Sequence, residues 1–243
     1  MSYIQGSQGY KQYDIPMIIA KKNRVFYGKN LIQNQIFHNI FNASLQLAHA
    51  HCQNTFKWDQ WNCPEEDFHS KRISQNILLD RETAFVSAIT TASLIFTIIK
   101  NCTEGNLLKC SDACNKSDKN QFGICDNNIK FAETLTDQLT NEEIANDAHG
   151  YAILHNNRAA KLAIKNSLKK YCGFIDYDNK PKNVLAYVHE SLNYCKPNII
   201  TNWKGMIGRQ CSRTKNKESS LEERRSCRNL CRACGLKGFQ GKF

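Results

Sequence analysis

Twelve cysteines are spread over 243 residues, and their spacing limits the chemistry the chain could do. Most fall as close-spaced pairs, at positions 52/63, 102/110, 114/125, 211/227 and 231/234, with Cys172 and Cys195 between them. Three chemistries are open to such a set. The first is nucleophilic catalysis, because His51 adjoins Cys52 and His155 adjoins Asn156. A catalytic thiol must stay free beside its base. Cys52, however, has a disulfide partner available at Cys63, and no thiol-enzyme signature surrounds it. The second is zinc: Cys227, Cys231 and Cys234, with Cys211 upstream, could supply four thiolates. The neighbouring arginines would then meet nucleic acid in an intracellular module. That alternative leaves the remaining cysteines without a role. The third is short-range oxidative pairing, the product of an oxidising compartment.

Other catalytic constellations are missing. Glu142 and Glu143 are adjacent and share no helix face with another acid, so no general acid/base pair is formed. No glycine-rich phosphate loop occurs in the sequence. The chain reads as a non-enzyme that needs no cofactor and no metal. Three acceptor signals for N-linked glycans, at Asn42, Asn101 and Asn115, agree with secretion. Met1 to Lys22 shows no signal peptide, since its apolar run from Ile15 to Ala20 is short and holds Pro16. The expectation is that the true start lies upstream.

Charge is uneven. The chain carries a net +11, and Thr201 to Phe243 alone holds eleven Lys/Arg against three Glu. For an extracellular protein the matching polyanion is sulfated glycosaminoglycan such as heparan sulfate, not nucleic acid. Arg224, Arg225, Arg228 and Arg232 are the residues assigned to it. Lys161, Lys165 and Lys169 recur at helical spacing and read as a solvated face.

The elements that must position these residues are helices. Thr83 to Ile99 holds no charge, Gly or Pro and is apolar on every side, which marks a buried central helix. The run predicts a core helix and no transmembrane segment, a span needing about 20 apolar residues. Asp80 is placed to cap it, with Thr83 at the third helical position and Lys100 at its end. Leu31 to about Ala50, Asp126 to Glu143 and Asn146 to Lys170 have apolar residues at amphipathic helical spacing. Between Cys52 and Cys63 lie Phe56, Trp58 and Trp61, so a disulfide there would close a loop with an aromatic interior. Such a bridge contributes roughly 2 to 3 kcal/mol on the chain-entropy model.

These landmarks together resemble the Wnt family of secreted signalling glycoproteins. Cys52-Gln53-x-x-Phe56 with Trp61-Asn62-Cys63 is similar to the family's first cysteine loop. Arg81-Glu82-Thr83-Ala84-Phe85-Val86 and Asn101-Cys102-Thr103-x-Gly105 resemble its central helix and the sequon that follows. His155-Asn156-Asn157-x-Ala159 resembles its later helix. Glu223-Arg224-Arg225-Ser226-Cys227 through Cys231, Cys234, Gly235 and Leu236 resembles its C-terminal cysteine module, most like the vertebrate eight-type and insect D-type branch. The resemblance implies a receptor-binding ligand of Frizzled-type receptors, secreted to the extracellular matrix and acting in development.

The resemblance also implies the pairs Cys52–Cys63, Cys102–Cys110, Cys114–Cys125, Cys195–Cys234 and Cys211–Cys227, with Cys172 and Cys231 left over. The two could stay free, pair with each other or link to another chain. Their usual partners lie in two pieces that this sequence does not match. One is the hairpin whose serine receives a fatty acid; here the chain reads Lys169-Lys170-Tyr171-Cys172-Gly173-Phe174-Ile175-Asp176. The other is the family's last cysteine-rich finger, expected after Leu236.

The resulting expectation is a mainly α chain with disulfide-closed loops. Residues 1–30 are flexible, 31–175 form a Wnt-like helical N-terminal domain, 176–190 a linker in place of the hairpin, and 191–243 a small basic cysteine-rich part. The ligand is expected to be non-acylated and atypical.

Overall fold

The structure is a computed structural model. It describes residues 31–68, 79–107, 110, 124–140, 147–169, 185–199, 202–212, 214, 216 and 218–236. The flexible N-terminus expected over 1–30, and the expectations for Cys114, Asn115, Cys172 and linker residues 176–184, lie outside the described residues.

Four helices make the first body. Helix α1 runs Leu31–Thr55 and buries Phe37, Phe41, Leu45, Ala48 and Cys52 along one stripe. It continues more than a turn past Ala50, because His51, Gln53 and Asn54 are polar but do not break a helix, and so it carries Cys52 inward. Helix α2 runs Arg81–Thr103 and begins where Asp80 caps it. The Asp80 carboxylate accepts the Thr83 N–H at 2.9 Å and the Thr83 hydroxyl at 2.7 Å. The helix passes Lys100 and stops at Gly105, whose φ of +77° is a left-handed turn that favours glycine. Helix α3 spans Asp126–Thr140, the expected end at Glu143 lying outside the described residues, and helix α4 spans Ala148–Lys169. The Asp147 carboxylate accepts the Gly150 N–H at 2.7 Å and starts α4.

Helix α2 is the axis of this body, since α1, α3 and α4 all pack on it. Ala84, Leu94, Ile95 and Ile98 are sealed, whereas Phe96 stays 44% exposed. Among the described residues it is the one helix long and apolar enough to cross a membrane. Its three helical neighbours account for that apolarity, as they bury most of its surface.

The second body is small. Asn198 and Trp203 exchange backbone hydrogen bonds at 2.8 and 2.9 Å across a tight turn. Gly205 closes that turn with φ +68°, and a Cβ there would meet the Pro197 nitrogen at 2.9 Å. Helix α5, Leu221–Leu230, follows, capped by Ser220, whose hydroxyl accepts the Glu223 N–H at 3.0 Å. A 3-10 turn at Arg232–Cys234 ends it. Trp203, Met206 and Leu230 form the core here, with Trp58 of the first loop and Tyr194 against them.

Candidate functional site

Sulfur chemistry comes first. The structure joins Cys52 to Cys63, Cys102 to Cys110, Cys195 to Cys234 and Cys211 to Cys227. Cys125 is also disulfide-bonded. The close spacing of Cys231 and Cys234 does not produce a pair, because Cys234 reaches 39 residues back to Cys195. Cys231 keeps a free thiol, and its Sγ lies 3.9 Å from the Cys211 Sγ. Three of the four thiolates a zinc site would use are therefore oxidised. Among the described residues no group of three or more His, Cys, Asp or Glu is placed to hold a metal ion. The sulfur of Cys52 is likewise bound, which removes the nucleophile that His51 could have served.

The two bodies meet through the first cysteine loop. The Arg209 guanidinium donates to the carbonyls of Asp59 at 2.7 Å, Gln60 at 2.8 Å and Lys57 at 3.2 Å. Burial lowers the Arg209 pKa, and Asp59 opposes that shift. Three carbonyl acceptors fit the fixed fork of a guanidinium. Trp203 donates its indole N–H to the Tyr194 carbonyl at 2.8 Å, and the Tyr194 hydroxyl donates to Asp80 at 3.3 Å. Phe56 packs edge-on against both Trp61 and Phe85, and the Trp61 indole donates to Asp67 at 2.9 Å. The loop's aromatics thus serve packing, with Trp58 turned to the second core.

His155-Asn156-Asn157 divides its labour by face. Asn156 is fully buried and grips the backbone of Ala186 twice: its amide donates to the carbonyl and its oxygen accepts the N–H, both at 2.8 Å. Asn157 is buried against α2 and accepts from Ser87 at 3.0 Å and Thr91 at 2.9 Å. His155 faces solvent. Leu79 adds a second tie, its carbonyl accepting from Val188 at 2.9 Å and His189 at 3.1 Å. Ala186, Val188 and His189, in the described end of the expected linker, are therefore pinned to the helical body.

The α5 arginines and the described glycan acceptors lie on different elements. Arg224, Arg228 and Arg232 follow one another at intervals of four along α5 and its end, with Arg225 alongside, and all four are exposed. Glu222 is held below the ordinary carboxylate value by its own backbone N–H and the Ser220 hydroxyl. Lys161 pairs with Asp137, and Lys165 lies 3.5 Å from Glu133, so these lysines face α3 rather than open solvent. Asn101 sits at the end of α2 with Thr103 exposed. Asn42 sits mid-helix in α1, its Oδ1 is buried, and the sequon's Ser44 is fully enclosed, donating to the Phe41 carbonyl at 2.7 Å. Periodicity does not reveal helix α5; the Ser220-x-x-Glu223 pattern of a capping box is the available signal.

The fold is a four-helix body carrying a small disulfide-held appendage, with Arg209, Tyr194 and Asn156 spent on docking one part to another. A sequence model of the wnt family matches residues 29–175 and 175–242, and the chain belongs to that family. It is 28% identical to Protein Wnt-8a of Danio rerio, over 80% of this chain and 71% of that protein. It is also 28% identical to the Wnt inhibitor of Dorsal protein of Drosophila melanogaster, over 82% and 76%. The fold superposes on a chain in the solved structure of human WLS in complex with WNT8A with a TM-score of 0.61 at 24% identity, over 89% of this chain and 85% of that one. These relatives place it beside the Wnt-8 and D-type branch of secreted, disulfide-bonded developmental ligands, and Wnt family signalling ligands are not enzymes.

Proposed function

We propose that the chain is a secreted ligand of the Wnt pathway that carries no fatty acid and engages its cell-surface receptor without an acyl grip. The supporting observation is the sequence around Cys172. No serine lies between Ser167 and Ser191, and no Cys-Lys-Cys-His-Gly run is present. The two segments that match the family meet at residue 175, in the same place. Ser167 is unsuited to acylation, since it sits inside α4 with its hydroxyl donating to the Ala163 carbonyl at 2.8 Å. Ser191 has no flanking cysteines to present it.

A buried acyl chain is worth about 0.8 kcal/mol per methylene, so a ligand without one lacks a dominant contribution to receptor affinity. Binding then falls to protein surface alone, as an atypical agonist or an antagonist. The exposed arginines of α5 supply a second contact, to heparan sulfate of the extracellular matrix. Asn101 is the favoured glycan acceptor, ahead of the enclosed Asn42 sequon.

The test is direct binding of the secreted chain to an isolated Frizzled-type cysteine-rich domain. Binding no tighter than micromolar is expected. Sub-micromolar, lipid-independent binding would overturn the proposal.

A further inference from the structure

We propose that Cys231 and the Cys211–Cys227 disulfide form an internal thiol–disulfide exchange pair, giving the C-terminal body two alternative anchors on α5. Three sulfurs share one small site. Cys211 is bonded to Cys227, and the Cys231 thiol stands 3.9 Å from the Cys211 Sγ. Cys227 and Cys231 lie four residues apart, and the Cys231 N–H donates to the Cys227 carbonyl at 3.1 Å. That hydrogen bond continues the helical ladder, so both side chains rise from the same face. The apolar residues Trp203, Met206 and Leu230 flank Cys211 and Cys231.

The Cys211 Sγ is the sulfur that the structure places 3.9 Å from the Cys231 Sγ. The Cys231 thiolate is the nucleophile and the Cys211 Sγ the target, so a Cys231–Cys211 bond forms as the Cys211–Cys227 bond breaks. Cys227 leaves as a thiolate and takes up the proton that Cys231 released. The number of disulfides and thiols is unchanged, and no external oxidant is consumed.

The exchange shifts the anchor of residue 211 by four residues, from Cys227 in α5 to Cys231 just past its end, about 6 Å along the helix axis. The resting arrangement is marked by local hydrogen bonds: the Ser212 N–H donates to the Ser226 hydroxyl at 2.8 Å, next to Cys227. Arg209, which clamps the first cysteine loop, is only two residues from the moving anchor. Exchange therefore couples the sulfur site to the docking of the two bodies.

The test uses the full secreted chain. It is incubated in a glutathione redox buffer, quenched with acid, alkylated and digested with trypsin without reduction. Cleavage after Arg209, Arg213, Arg225, Arg228 and Arg232 leaves Cys211, Cys227 and Cys231 on three separate peptides. The proposal expects both Cys211–Cys227 and Cys211–Cys231 linked peptides, with alkylated Cys227 appearing in step with the second. In Cys227→Ser it expects secreted protein joined through Cys211–Cys231, and in Cys231→Ser only the Cys211–Cys227 link. Cys231 alkylated throughout with no Cys211–Cys231 peptide would overturn it. So would Cys231 joined to Cys172, or Cys227→Ser secreted with both remaining thiols free.

Discussion

The helical body and the C-terminal body solve the same problem by different means. In the first, α2 is wrapped by α1, α3 and α4, and large side chains such as Phe37, Leu45, Leu94, Ile98 and Leu135 are wholly enclosed. In the second, among the described residues only Trp203, Met206 and Leu230 are buried as a core, and two disulfides cross it. A core that small cannot offset chain entropy by apolar burial alone, so covalent staples and the Arg209 clamp take over. Stability in the first body is thus sensitive to volume and buried charge. In the second it is sensitive to redox state and to contacts with the first loop.

The largest expected effect tests the first half of that contrast. Ala84→Asp places an unpaired carboxylate at a fully enclosed position of α2. The cost is several kcal/mol against a total stability of about 5 to 15 kcal/mol, so secretion should be lost. Ala88→Asp, at a half-buried position one turn on, should be secreted at a reduced level. Equal secretion of the two variants would break the packing account of α2.

A smaller effect probes the join between the bodies. Asn156→Ala leaves the Ala186 N–H and carbonyl without their two partners. A loss of about 1 to 3 kcal/mol is expected, read as a lower urea midpoint at unchanged slope. An unchanged midpoint would mean that 185–190 is not held by this clamp.

The smallest effect on folding belongs to the surface of α5. Neutralising Arg224, Arg225, Arg228 and Arg232 together should lower the salt needed to elute the chain from heparin while leaving its helical circular dichroism intact. Unchanged elution would place the polyanion site elsewhere.

The helical body was largely legible in the sequence because its signals are periodic. The unbroken apolar run of α2, its Asp80 cap and the stripes of α1, α3 and α4 all follow from side-chain spacing. Spacing marks the ends of α1 and α2 too early, since polar residues such as Gln53 and Asn101 are compatible with both helix and loop. Helix α5 carries no periodic signal, because Leu221 and Leu230 are too few to mark a face, although Ser220 and Glu223 mark its start. Asn156 and Asn157 act on Ala186, Ser87 and Thr91, contacts far apart in sequence that no local pattern reveals. The Arg209 clamp on the first loop, some 150 residues away, was hidden for the same reason.

The proposed absence of a fatty acid is the point on which function turns. Cells expressing the chain are fed a clickable monounsaturated fatty acid, and the secreted protein is reacted with a fluorescent tag beside an acylated Wnt-8a control. The account predicts strong label on the control and none on this chain at equal protein. Label on this chain that survives delipidating washes and is released by mild base would contradict it.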